Sequence, residues 1–186
     1  MPKMIIFEGH ECAGKTTLVS RMADEFSAKV QKGVRIADRF QLVKSVVDDI
    51  TTQLVRTSVG NGESLILVDR WPAISDIIYE KYCYGTTSIM ESVLPDLKQT
   101  LKDADITIVY LRTTQAEMLS RFWHRGDKLR TSQEAIVTYD AYERFFSPGE
   151  CPVDFVTIDV TDLNPEEAFI KACETLDLPV PVCMNV

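Results

Sequence analysis

The chain has 186 residues, a formal net charge of −8 and a pI of about 4.8, with 45% hydrophobic and 26% charged residues. That length and balance fit one soluble globular domain, and the acidity opposes generic binding to DNA or anionic membrane surfaces while leaving room for a small anion held by a local basic cluster. Cys12, Cys83, Cys151, Cys173 and Cys183 form no CxxC or metal-ligand spacing, and no signal peptide or membrane-length apolar run is recognisable, so the expectation is reduced thiols, no membrane association and a cytoplasmic setting.

In chain order, short apolar runs alternate with longer helical patterns, the rhythm of a parallel sheet covered by helices. The expected strands are residues 3–8, 34–38, 64–69, 106–111 and 154–158, near-continuous apolar runs such as MIIF, LILV and ITIVYL. The expected helices are 15–28, 41–58, 74–82, 88–102, 114–123, 132–146 and 165–176. Leu18, Val19, Met22 and Phe26 mark the first, and Val43, Val46, Val47, Ile50 and Leu54 the second. Thr114 followed by Glu117 predicts a capping box. Residues 177–186 carry two prolines and read as an extended tail. No repeat or linker divides the chain, so residues 1–186 are taken as one domain.

Between the first strand and the first helix lies Gly9-His10-Glu11-Cys12-Ala13-Gly14-Lys15-Thr16-Thr17, which fits G-x-x-x-x-G-K-[ST]. In this context the loop's amides and the helix N-terminus hold phosphate oxygens, Lys15 reaches the β and γ phosphates, and Thr16 offers its hydroxyl to Mg²⁺. The run Leu65-Ile66-Leu67-Val68-Asp69 puts a carboxylate at a strand's C-terminal edge, beside that metal. Nothing reads as N-K-x-D, no D-x-x-G follows the second strand, and the chain is short for a motor ATPase. A small kinase is the expected class, with a three-layer α/β/α P-loop NTPase fold, a five-stranded parallel sheet and a helical lid.

Three stretches then resemble the thymidylate kinase family. FEGHECAGKTTL is similar to its F-E-G-x-[DE]-G-x-G-K-T-T, and VDRW to its D-R-[YHF]. The run from Leu119 through Arg121, Phe122, Trp123, His124, Arg125, Gly126, Asp127, Lys128 and Leu129 to Arg130 is similar to its lid, L-x-R-I-x-x-R-G-x-x-D-R. In order and spacing these cover roughly residues 3–146. The sequence departs from the pattern at Cys12 and at Leu129, which stands where the lid aspartate would. T-R-E-P-G is missing after the second strand, and Ser75 and Tyr79 each fall one position late. The resemblance implies phosphoryl transfer from ATP, with Mg²⁺, to a deoxynucleoside monophosphate. It also implies a lid at about residues 121–131 and a dimer, common among members, and it places Glu11 near the acceptor's 3′-hydroxyl.

What receives the phosphate turns on Ala37-Asp38-Arg39-Phe40. A monophosphate acceptor needs guanidinium groups near its dianion, and Arg39 and Arg70 both follow strand ends at the expected ligand edge. A nucleoside acceptor needs a base for its 5′-hydroxyl, and Asp38 would serve. The monophosphate is preferred; a deoxynucleoside kinase, or a kinase of a modified nucleotide or a hydroxymethylated base, stands as the alternative. A regulatory module that binds nucleotide without turnover fits poorly with Lys15, Thr16, Asp69, Arg121, Arg125 and Arg130 together. The lid cations would stabilise charge on the transferring group, with Arg121 one helical turn from Arg125. Trp71, Phe40, Tyr79 and Tyr82 are candidates to stack on a base, with the first two preferred. His10 and His124 lack a second ligand at metal spacing, and Cys12 contributes only a small side chain to the loop.

Overall fold

A computed structural model describes residues 3–32, 65–86, 94–95, 98–99, 101, 105–126 and 131–180. The expected strand at 34–38, the helix at 41–58, most of 88–102, Asp38, Arg39, Phe40, Arg130 and the end of the tail lie outside these residues.

Five parallel strands form the sheet in the order β2-β3-β1-β4-β5: β1 Lys3–Glu8, β2 Lys29–Lys32, β3 Leu65–Asp69, β4 Ile106–Arg112 and β5 Val156–Asp159. The period of two along each strand divides its apolar residues between two cores. Met4, Ile6, Ile66, Val68, Ile108 and Tyr110 face helices α2 (Pro72–Ile78) and α4 (Ser132–Phe145). Ile5, Phe7, Leu65, Leu67, Val109 and Leu111 face α1 (Lys15–Phe26) and α5 (Pro165–Thr175). The apolar runs of the sequence are explained by this burial on both faces. The three-layer α/β/α expectation holds. A third, smaller cluster joins Met118 and Phe122 of α3 (Gln115–Arg125) to Ala135 and Tyr139 of α4, with Cys12 of the loop against it.

The strand Lys29–Lys32 was not foreseen. The expected first helix stops at Phe26, because Ser27 turns left-handed (φ 49°) and the chain runs straight into β2. Its sequence, KVQK, lacks the apolar run of a doubly buried strand. It pairs with β3 at the sheet's end, where lysines are usual. The helix expected at 74–82 is α2, which continues as a wider π-helical turn over Tyr79–Tyr84 and stops at Gly85.

The capping box expected at Thr114 forms by half. Thr114 Oγ1 accepts from the Glu117 N–H at 3.3 Å, but the Thr114 N–H is taken by Thr161 Oγ1 at 3.1 Å, and the Glu117 carboxylate turns to Arg121 at 2.7 Å. Complete boxes stand instead at Thr131 with Glu134 and at Asn164 with Glu167. Of the tail, Leu178 donates its N–H to the Cys173 carbonyl at 2.9 Å, and residues 178–180 have no regular structure.

Candidate functional site

The C-terminal ends of β1, β3 and β4 meet at one edge of the sheet, and the loop 9–14 crosses it. Gly9 is required there sterically, since a Cβ at this position would stand 2.5 Å from the Leu111 carbonyl oxygen of β4. Gly14, at φ 91°, forms the N-cap of α1. Cys12 takes a left-handed φ of 59°, a conformation that glycine adopts at less cost. Ala13 is buried, whereas Thr16 and Thr17 are exposed at the start of α1.

Lys15 is buried and donates from Nζ to the carbonyls of Gly9 and His10, both at 2.7 Å. An ammonium has three protons, so these bonds curl the lysine under the loop and leave one for a further acceptor. Burial, and then the neighbouring Arg70 charge, hold its pKa well below the ordinary lysine range. Thr16 Oγ1 donates to Asp69 Oδ2 at 2.7 Å, which joins the loop's hydroxyl to the acid at the end of β3. A hydroxyl and a carboxylate side by side are the hard oxygen donors that suit Mg²⁺.

His10 is fully buried. Its Nδ1–H donates to the Glu11 carbonyl at 2.7 Å, Nε2 has no hydrogen-bond partner, and its ring lies 4.8 Å from that of Tyr139. Burial lowers its pKa to about 4, so the ring is neutral at physiological pH.

Arg70 also takes a left-handed backbone (φ 71°) and donates from Nη2 to the Gly9 carbonyl at 3.4 Å. Glu8, Glu11, Tyr79 and Tyr142 surround it electrostatically. Glu8 was absent from the expected site. It ends β1 fully buried and accepts the Trp71 N–H at 2.6 Å, with Ser75 and Tyr142 hydroxyls each at 3.2 Å from Oε2. Burial raises the pKa of this carboxyl to about 6. The available signal was an acid closing an apolar strand, MIIFE, directly after the core residue Phe7.

On the opposite side, α3 brings its cations over the loop. Arg121 bonds Glu117 through Nε and the Val160 carbonyl through Nη2 at 3.4 Å, and its Nη1 lies 3.9 Å from where a Cβ on Gly14 would stand. The Arg125 guanidinium acts on the Cys12 thiol to lower its pKa, but burial outweighs it and raises the pKa. The structure thus gathers Lys15, Thr16, Asp69, Arg70, Arg121 and Arg125 around one loop. It does not present Trp71 as a stacking platform: the indole is fully buried among Met4, Ile6, Ile74 and Tyr142, with Nε1 unpartnered. The Tyr79 hydroxyl is buried without a hydrogen-bond partner. Tyr82 packs edge-on against Phe145 and donates to Glu150 at 3.1 Å, so its hydroxyl is engaged at the rim of the core.

No protein-family model matches the chain, and no curated protein matches its sequence. Solved structures do share its fold. The YorR protein of Bacillus subtilis, in complex with phosphorylated GDP, aligns over 94% of this chain and 96% of its own at a TM-score of 0.64 and 19% identity. Thymidylate kinase from Candida albicans covers 95% and 91% at a TM-score of 0.61 and 14% identity. Deoxyadenosine kinase from M. mycoides, with products dCMP and a flexible dCDP bound, covers 94% and 98% at a TM-score of 0.61 and 17% identity. The coverage is nearly complete in both directions, so the shared fold is that of the whole chain: this protein has the α/β fold of the P-loop kinases.

Proposed function

We propose that the protein transfers the γ-phosphate of ATP to a deoxynucleoside monophosphate. The observation that supports this reading is Arg70. It is a second cation beside Lys15, held next to Asp69 and against the Gly9 carbonyl. Glu8 and Glu11 already lie near this guanidinium, and its forked donors aimed at the phosphate loop match a phosphate dianion better than a neutral 5′-hydroxyl. Arg39, the other candidate for this phosphate, follows the strand expected at 34–38.

In this reading the loop 9–17 holds the triphosphate, with Lys15 donating its remaining proton to the β/γ oxygens. Arg121 and Arg125 approach from α3 and meet the charge on the transferring group. Thr16 and Asp69 would hold Mg²⁺, which when bound neutralises charge on the phosphate oxygens. The chain's contribution is alignment and electrostatics rather than covalent chemistry.

A panel of nucleosides and monophosphates assayed with ATP and Mg²⁺ tests the reading. The competing one, a deoxynucleoside kinase with Asp38 as base, predicts phosphorylation of nucleosides in preference to monophosphates. A pair of variants sharpens the choice. With a monophosphate acceptor, Arg39→Ala lowers kcat/KM roughly ten- to hundredfold through loss of a charge-assisted hydrogen bond, and Asp38→Asn has the smaller effect. With a nucleoside acceptor the order reverses, because loss of the base at Asp38 forfeits roughly 10²–10⁴-fold.

A further inference from the structure

We propose that Glu8 is the positioning residue for Arg70: its buried carboxylate fixes the backbone turn that directs the guanidinium toward the phosphate loop. This rests on the reading of Arg70 as a ligand of the acceptor phosphate.

The argument begins with the turn. An L-residue with a side chain adopts a φ of 71° only where its surroundings hold it there. At Arg70 both flanking peptides are held by β1. The Arg70 N–H donates to the Phe7 carbonyl at 3.0 Å, and the next N–H, that of Trp71, donates to Glu8 Oε1 at 2.6 Å. Two consecutive amides tied to consecutive residues of one strand determine the rotation about the Cα between them. The side chain then leaves toward Gly9, where Nη2 finds the carbonyl.

The carboxylate is itself oriented. Ser75 Oγ of α2 lies 3.2 Å from Oε2 and 3.4 Å from Oε1. Tyr142 OH of α4 donates to Oε2 at 3.2 Å, and the two hydroxyls lie 3.2 Å apart. Glu8, Trp71 and Tyr142 are fully buried and Ser75 is 5% exposed, so the triangle is closed to water. A carboxylate in such a place is costly unless every contact is satisfied, and an aliphatic residue would fill the space at less cost. Two hydroxyls and one amide converge on it, and the amide belongs to the residue following Arg70. The network therefore ties β1, α2 and α4 to the setting of a single guanidinium.

The test is binding of MgATP and of deoxynucleoside monophosphates, measured separately by calorimetry on the intact protein. Glu8→Ala is expected to weaken the monophosphate roughly ten- to hundredfold, the loss of a charge-assisted phosphate contact, and to leave MgATP within about threefold. Glu8→Gln is expected to restore monophosphate binding to within about threefold of the parent, because the amide carbonyl still accepts from Trp71 while its NH₂ donates to Tyr142. Glu8→Ala combined with Arg70→Ala should bind no more weakly than Arg70→Ala alone. Equal loss of both ligands would mark Glu8 as a merely structural residue. A Glu8→Gln variant as defective as Glu8→Ala would mean that charge, not the clamp, matters; additive losses in the double variant would mean that Glu8 does not act through Arg70. Each of these overturns the proposal. If Glu8→Ala fails to fold, Tyr142→Phe loosens the carboxylate without emptying its site, and the same selective loss of about two- to tenfold is expected, with an unselective loss overturning the proposal. A parent protein that binds MgATP but no monophosphate would overturn the reading of Arg70 and this inference with it. A parent that binds the monophosphate, beside a Glu8→Ala variant that binds it equally well, overturns this inference alone.

Discussion

Lys15 and Arg121 approach the same loop from opposite sides, and the protein holds them by different means. Lys15 is 7% exposed, bonded to two carbonyls, and shares its surroundings with Glu8, Arg70 and Asp69 in a water-poor space. Arg121 has a side chain 28% exposed and an ion pair with Glu117, itself 33% exposed, one turn away. Beside it Trp123 is 67% exposed. In the first region an unmet charge would be expensive, so Lys15 and Glu8 are each held by several partners. In the second, water shares the load and any one contact is cheap to exchange. In the proposed reading this difference divides the work: the sheet edge would set the geometry of the bound phosphates, and α3 would supply cations that can be redirected once phosphate is present.

The largest expected effect breaks the buried side. Lys15→Ala should lower kcat/KM by at least roughly 10²–10³-fold, the scale for loss of one preorganised electrostatic contact. Circular dichroism and thermal melting would establish that the fold persists, and an ATP-consumption assay with the best acceptor would read the loss. Near-normal turnover in a folded variant would undo the kinase reading. On the lid, Arg125→Ala should cut kcat roughly ten- to hundredfold while ATP affinity changes less, because a closing cation acts mainly on the transition state. A rise in KM with kcat unchanged would instead make Arg125 a ground-state contact and erase the division of labour.

Acid sharpens the contrast through His10. Its pKa is about 4 in the folded protein and near 6.5 when unfolded, so between those values the unfolded chain binds the proton that the folded one refuses. The stability that depends on neutral His10 is whole above pH 6.5 and is lost as pH falls toward 4, by about 3 kcal/mol in all. Glu8 works in the opposite sense. Its carboxyl is raised to about 6, so burying the carboxylate weakens the fold as pH rises through the interval from 4.5 to 6 and is relieved as pH falls. Denaturation curves of the parent and of His10→Gln, compared between pH 4 and 7, isolate the histidine because the Glu8 contribution is common to both. Parallel pH dependences would show that His10 protonates freely and that the loop is not closed around it.

Much of this was legible in the sequence, for reasons particular elements make plain. β1, β3 and β4 are buried on both faces, so burial and sequence carry the same message, MIIF, LILV and ITIVYL. The loop was legible because glycines at 9 and 14 and the Lys15-Thr16 pair answer to one local geometry. β2 was not, because an edge strand of KVQK signals neither burial nor alternation. Trp71 was misplaced as a base-stacking residue because an aromatic beside a strand end reads alike whether it turns outward or, as here, into the core. Glu8, Ser75 and Tyr142 were missed as a set because their meaning lies in a contact across as many as 134 positions of chain, which no local pattern encodes.

The smallest effect tests the lid's side of the comparison most directly. Glu117 and Arg121 stand at i and i+4 on α3, both partly exposed, 2.7 Å apart. An exposed helical pair of this kind contributes about 0.3–0.5 kcal/mol. A double-mutant cycle through Glu117→Gln, Arg121→Gln and the combined variant should therefore return a coupling of that size, and the pair itself should account for a Tm change of only about 1–2 °C. Glutamine keeps the helix propensity of both positions and the length of Glu117, and the packing that Arg121→Gln removes cancels in the cycle, which therefore reports the pair's interaction. Salt should reduce the coupling further, since water reaches both groups. A coupling above about 1.5 kcal/mol would place this pair with the buried networks. Arg121 would then be fixed as firmly as Lys15, and the lid could not be the adjustable half of the site.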